Sequence, residues 1–162
     1  MPADPAAQAA GLLFRAATAD DVADVVALIY DDEIAASREA APGAGLEESY
    51  RTAFALIEAN PDDLLVVGVL DGRVVACAQV TLLHHLSRRG GTRAQVESVR
   101  VATHLRGRGA GGQLMGWIET YAREHGAALI QLTTDKRRSA ARHFYEGLGY
   151  TASHEGMKRA LT

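Results

Sequence analysis

The sequence predicts a mixed α/β fold: a mostly antiparallel central sheet with helices on both faces. Three observations carry this. Apolar runs at 64–70 and 74–83 flank Asp71-Gly72, a residue pair suited to a tight hairpin turn. The strand, helix and strand read over 94–134 form a unit whose right-handed crossover makes two strands parallel. Helical and strand patterns alternate along the rest of the chain, with no internal repeat.

Residues 12–16 read as a short strand. Thr18 precedes Ala-Asp-Asp, an N-cap with acids in the first turn. Val22, Val25, Val26, Ile29 and Tyr30 follow at helical spacing. Residues 40–45 hold one Pro and two Gly and read as a loop. Residues 46–59 form a second helix, with Tyr50, Phe54 and Ile57 on one side, and Asn60-Pro61 ends it. After the hairpin, the polar, Gly/Arg-rich residues 84–92 read as a loop, and 94–101 as another strand. Residues 109–125 read as a helix with Leu114, Met115, Ile118, Tyr121 and Ala122 on one face. Residues 128–134 are a short apolar strand. Residues 139–148 are a helix closed by Gly149 in its C-cap region. A final pair of strands is expected at 150–154 and 157–161.

A chain of 162 residues, 48% hydrophobic and 23% charged, can bury a core without staples. No apolar run approaches the roughly 20 residues of a membrane helix. One cysteine, Cys77, excludes an intrachain disulfide and a multi-cysteine zinc site. It lies inside an apolar strand and reads as a core residue. His84-His85 lacks a third ligand at metal-site spacing, so no metal is assigned. Residues 1–10 do not read as a signal peptide, and a cytoplasmic protein is expected. Residues 1–72 carry a net charge of −11 and residues 73–162 carry +8. Either the second half meets an anion, or the halves neutralise each other across the fold. The acidic half and the negative total leave no continuous basic footprint for nucleic acid.

The segment Arg106-Gly107-Arg108-Gly109-Ala110-Gly111-Gly112 sits between a strand and a helix. Glycines let the backbone turn its N–H groups toward one point, and the helix start adds unpaired donors and a positive dipole end. Such a loop can cradle phosphate, with Arg106 and Arg108 at its rim, or it can be a structural turn. A Walker A loop fails, because Gln113-Leu114 follows Gly112 where Lys-Ser or Lys-Thr is needed. Gly107, Gly109 and Gly112 do match a dinucleotide fingerprint, and Asp135 lies 23 residues further on. Against it, Ala102 to Arg106 intervene after the strand, and a doubly wound sheet needs more strand–helix units than the remaining 50 residues hold.

Coenzyme A is the third candidate ligand. Val99-Arg100-Val101 followed by Arg106-x-x-Gly109-x-Gly111 resembles the acetyl-CoA motif of the GNAT N-acyltransferase superfamily. Ala141-Arg142-His143-Phe144-Tyr145-Glu146-Gly147-Leu148-Gly149-Tyr150 resembles that family's second motif. The element order agrees over roughly 12–161. The resemblance implies one domain over 11–162 behind a disordered tail of 1–10, with a splayed parallel strand pair around 94–101 and 128–134. It implies acetyl-CoA as cosubstrate, without a metal.

The resemblance also implies roles. Backbone groups of Val99 and Val101, on either side of Arg100, would pair with the pantetheine arm like an added strand. The backbone of Gly107, Arg108, Gly109, Ala110, Gly111 and Gly112, with Arg106, would hold the pyrophosphate. Tyr145 would be the general acid for the leaving thiolate. Glu97, or a water it holds, would take a proton from an amine that is mostly protonated at pH 7. A backbone N–H near Val99 would stabilise the oxyanion. Many members have Asn where this chain has Arg138, and that Asn contacts pantetheine. Arg138, with Lys136, Arg137 and Arg142, faces either the 3′-phosphate or solvent.

The expected activity is acetyl transfer to a primary amine on a small molecule, by direct attack in a ternary complex. A non-catalytic acyl-CoA-binding sensor is the alternative, and a small NAD- or FAD-binding protein is a third reading. The first two helices and the 84–92 loop would shape the acceptor site. Asp31, Asp32 and Glu33 either favour a cationic amine or simply mark an exposed helix end. Self-association is common in the family, so a homodimer is expected.

Overall fold

The computed structural model describes residues 11–31 and 46–161. The tail of 1–10, the loop of 40–45, Asp32 and Glu33 lie outside the described residues. The chain divides into two compact units, Met1–Gln131 and Leu132–Thr162.

The first unit begins with β1 (Leu13–Ala16) and a 3₁₀ turn at Ala19–Asp21. Then come α1 (Val22–Tyr30), α2 (Leu46–Ala59), β2 (Asp63–Leu70), β3 (Arg73–His84), β4 (Thr92–Val101), α3 (Ala110–Glu124) and β5 (Ala127–Leu132). The strands lie side by side in chain order. β1 to β4 pair antiparallel, and β5 runs parallel to β4, as the crossover through α3 requires. The side-chain amide of Gln131 on β5 donates to Gln95 Oε1 on β4.

The hairpin turns where the sequence places it. Asp71 (φ +50°) and Gly72 (φ +75°) are both left-handed, which two-residue turns of matching twist demand, and Leu70 faces Arg73. The next hairpin is longer than its polar composition suggests. β3 and β4 pair out to His84 opposite Thr92, and a short turn at Ser87–Gly90 closes the gap. His84 is held there by Thr92 (Nδ1, 2.9 Å) and Asp62 (Nε2, 3.1 Å).

Pleating sorts the apolar side chains onto two faces. Val67 and Cys77 form one buried cluster with Val25 and Leu28 of α1. The opposite face carries Phe14, whose ring lies over Gly68 and Ala76 and 6.4 Å from the Trp117 ring of α3. Leu114, Met115 and Ile118 on α3 are fully buried. Helices therefore cover both faces.

The entry to α1 is fixed by a carboxylate. Asp21, almost fully buried, accepts from the Thr18 N–H (2.7 Å), the Thr18 hydroxyl (3.0 Å) and both terminal nitrogens of Arg15 (2.6 and 2.9 Å). Thr18 is the N-cap, as its sequence position suggests, and its N–H to the Asp21 carboxylate is one half of a capping box.

The second unit contains α4 (Ser139–Gly147), ended by a Schellman motif. Gly149 (φ +89°) donates to Glu146 O and Tyr150 donates to Tyr145 O, both at 3.0 Å. The expected strands at 150–154 and 157–161 do not form: this segment carries no strand and is exposed from Thr151 to Leu161. A strand needs a hydrogen-bonding neighbour and usually a buried face. Ser153, His154, Glu155 and Gly156 interrupt the apolar pattern, and Met157 and Leu161 bury almost nothing.

Candidate active site

The Gly/Arg-rich loop is a left-handed turn feeding a helix. Gly107 (φ +72°) and Gly109 (φ +86°) adopt conformations that side chains disfavour, and Gly109 is the N-cap of α3. The first bond inside the helix is Gln113 N–H to Gly109 O, at 3.1 Å. The N–H groups of Ala110, Gly111 and Gly112 therefore have no intrahelical acceptor, at the positive end of a fifteen-residue helix. A Cβ added at Gly107 or Gly112 meets nothing within 4 Å, so the space over the loop is open. A phosphate group fits such a donor set.

The arginines do different work. Arg106 turns back from the loop: its Nε donates to Val101 O (3.0 Å), and a terminal nitrogen lies 3.4 Å from both the carbonyl and the carboxylate of Asp31. The same carboxylate accepts from Thr103 N–H (3.1 Å) and Thr103 Oγ1 (2.7 Å). Asp31 thereby pins the 3₁₀ turn Thr103–Leu105 to the end of α1. Arg100 donates to Val99 O at 2.8 Å. The carbonyls of Val99 and Val101 thus already accept side-chain bonds, each with a second lone pair left over. Arg108 is exposed on the turn and donates its N–H to Leu105 O (3.3 Å).

β4 carries a bulge that no residue in the sequence advertises. Cys77 faces Arg100 and Gln79 faces Glu97, so two steps on β3 match three on β4. Ser98 absorbs the extra residue at φ +53°. Bulges bend a strand and release backbone groups from the ladder. Here that happens between Glu97 and Val99. Directly opposed residues share a face, so Glu97, which is exposed, lies on the same face of the sheet as Gln79. The Cys77 thiol donates to Ser98 O at 3.8 Å. Burial pushes that thiol up to about 12, which keeps it neutral and makes it a core residue, as its apolar strand suggested.

On this face lies a cavity of about 170 Å³. Its walls come from α1, α2, β2, β3 and the bulge. Most are apolar, from Val22, Val25, Ile29, Ala53, Phe54 and Leu65, with Tyr50, Gln79 and Ser98 as polar points. Tyr50 and Ser98 were not singled out as site residues by the sequence. Tyr50 reads as a helix-face aromatic and Ser98 as an ordinary strand residue.

Arg138 and Tyr145 belong to the second unit. The Tyr145 ring meets Phe144 and Tyr150 edge-on, with centroids 5.1 and 5.8 Å away. Its carbonyl is the acceptor of the Schellman bond, so backbone and ring are both fixed. Arg138 caps α4, its N–H donating to Asp135 O (2.9 Å). Arg137 forks onto Asp135 (3.0 and 2.9 Å) and Arg142 pairs with Glu146 (2.8 Å), so this basic run is partly neutralised by its own carboxylates.

Among the described residues, no three His, Cys, Asp or Glu side chains are grouped to hold a metal. No described helix is long and apolar enough to cross a membrane.

Residues 27–150 match the Acetyltransferase (GNAT) family. The chain is 31% identical over 117 residues to the aminoalkylphosphonate N-acetyltransferase of Salmonella typhimurium strain LT2, covering 70% of this chain and 73% of that one. A crystal structure described as a transcriptional regulator from Bacillus halodurans C-125 superposes with a TM-score of 0.88 at 39% identity, covering 93% of this chain and 99% of that one. A putative acetyltransferase from Agrobacterium tumefaciens strain C58 shares the fold, with a TM-score of 0.79 at 22% identity over 91% of this chain and 99% of that one.

Proposed function

The chain belongs to the GNAT acetyltransferase family, and from that premise we propose that it transfers an acetyl group from acetyl-CoA to a primary amine on a small molecule. The observation that carries the reading is the left-handed Gly107–Gly109 turn, which opens three backbone donors at the start of α3, after β4 and the short 3₁₀ turn Thr103–Leu105. The N-acetyltransferase relative from Salmonella supports amine acetylation.

Bound acetyl-CoA supplies an acetyl thioester with an electrophilic carbonyl carbon. The N–H groups of Ala110, Gly111 and Gly112 hold the pyrophosphate, with Gly107 and Gly109 shaping the approach. Backbone groups of Val99 and Val101 align the pantetheine arm. Glu97, directly or through a water, removes a proton from the amine so that its lone pair can attack. The bulge releases a backbone N–H near Val99, which faces the negative charge developing on the acetyl oxygen. Tyr145 donates a proton to the departing thiolate sulfur. Arg106 acts by position, tying the end of β4 to α1.

A second reading has one observation behind it: the relative of 39% identity is described as a transcriptional regulator. In that reading the chain binds acyl-CoA without turnover. The deciding measurement is free-thiol release from acetyl-CoA across a panel of amines. Acceptor-dependent release establishes the transferase. Binding of acetyl-CoA with no release for any amine establishes the sensor.

A further inference from the structure

We infer that the acceptor amine carries a compact apolar body, of roughly benzene size, which seats in the cavity between α1, α2 and the bulged face of the sheet. This rests on the acetyltransferase reading and names the substrate class for it.

Size, chemistry and position all bear on this. A cavity of about 170 Å³ is of the order that takes up a benzene molecule in an engineered protein core, near 150 Å³. Its described walls are aliphatic and aromatic: Val26, Ile29, Ala53 and Ile57 line it beside Phe54. Apolar surface of this kind gains by excluding water and offers a phosphonate or carboxylate nothing in exchange for its hydration. Among the described residues, the polar points of the lining are neutral: the Tyr50 phenol, 3.5 Å from the Tyr30 hydroxyl, the Gln79 carboxamide and Ser98. Such groups orient a ligand through hydrogen bonds and require no charge on its body.

Position gives the direction. Ser98 is at once part of the cavity wall and the strained residue of the β4 bulge. Gln79, also on the wall, faces Glu97 across the two strands. An amine whose apolar body fills the cavity therefore presents its nitrogen toward the bulge and Glu97. The relative from Salmonella is named for an aminoalkylphosphonate, and the acceptor inferred here lacks that anionic group.

The test compares 2-phenylethylamine, methylamine and 2-aminoethylphosphonate as acceptors, by thiol release and by calorimetric binding in the presence of CoA. The same measurements are made on Ala53→Phe, which fills the cavity from α2, and on Ile57→Ala, which enlarges it. The expected kcat/KM for 2-phenylethylamine exceeds that for the other two by tenfold or more. Ala53→Phe raises its KM at least fivefold, and Ile57→Ala shifts preference toward bulkier amines. A kcat/KM for 2-aminoethylphosphonate or methylamine equal to or above that for 2-phenylethylamine overturns the inference and leaves the transferase standing. If no amine releases thiol, the transferase reading fails by itself. Binding of 2-phenylethylamine that Ala53→Phe weakens then still supports the cavity as an apolar ligand site, and absence of binding overturns it.

Discussion

Arg106 and Asp31 are separated by 75 residues in sequence, yet the Arg106 guanidinium lies 3.4 Å from both the carbonyl and the carboxylate of Asp31. The sequence offers the arginine to a phosphate and the aspartate to a cationic amine. The fold gives them to each other, and with Thr103 they lock the approach to the glycine turn against α1. The contacts are half-exposed, so their energy is modest, about 1 kcal/mol. Asp31→Ala is expected to raise the KM for acetyl-CoA roughly fivefold with kcat within a factor of two, a change of about that energy. Asp31→Asn keeps an acceptor for Thr103 and should recover most of the loss. A fall in kcat with unchanged KM would refute the positioning role.

Tyr145→Phe separates the phenol from the ring. The rings of Phe144 and Tyr150 still pack against it, so folding and acetyl-CoA affinity should hold. Loss of a general acid lowers kcat by roughly 100-fold. Full activity in the variant would remove Tyr145 from the mechanism.

Ser98 holds a left-handed backbone without being glycine, which costs about 1 kcal/mol. Ser98→Gly should stabilise the fold by up to about that amount in urea denaturation, and Ser98→Val should destabilise it. Equal stability of the two variants would show that the bulge is not strained.

Gly68 is required by a close approach. A Cβ there would sit 2.8 Å from Phe14 Cε1 and 3.2 Å from Ala76 Cβ. Gly68→Ala is expected to cost about 1–3 kcal/mol, read as a lower Tm. Adding Phe14→Leu should return part of that loss, because the ring is the clashing group. A wild-type Tm for Gly68→Ala would mean that the ring moves aside freely.

The Arg15 guanidinium, with help from Thr18, holds the Asp21 carboxyl down at about 2, against 3.8 ordinarily. The folded state therefore binds the proton less readily than the unfolded chain. The contribution, up to about 2 kcal/mol, is full above pH 4 and disappears as pH falls from about 4 to about 2. Wild type should exceed Asp21→Asn in stability at pH 6, and the gap should shrink by pH 2. A gap independent of pH would assign the loss to hydrogen bonding alone.

Local chemistry made much of the fold legible. Asp71-Gly72 marks its turn because the two-residue hairpin needs left-handed residues, and Gly149 marks the end of α4 for a similar reason. The spacing of Leu114, Met115, Ile118 and Ala122 marks the buried side of α3 because that face is continuous. The last two strands do not form, because the residue pattern of 150–161 says nothing about a pairing neighbour. The candidate site was legible where glycine betrays its backbone, at 107–112. It was illegible at Ser98, since nothing in a serine announces a left-handed angle.

By itself the sequence determined the family and the order of elements as far as α4, because both depend on residue type and short-range spacing. It also determined the glycine turn before α3 and the helix that carries Tyr145. Only the tertiary structure decided that Arg106 serves Asp31 and Val101, that Glu97 and Gln79 share a face, and that an apolar cavity opens beside the bulge. The pairings of Glu97 with Gln79 and of Arg106 with Asp31 join residues 18 and 75 positions apart, and pairing register and packing bring them together where local propensity cannot.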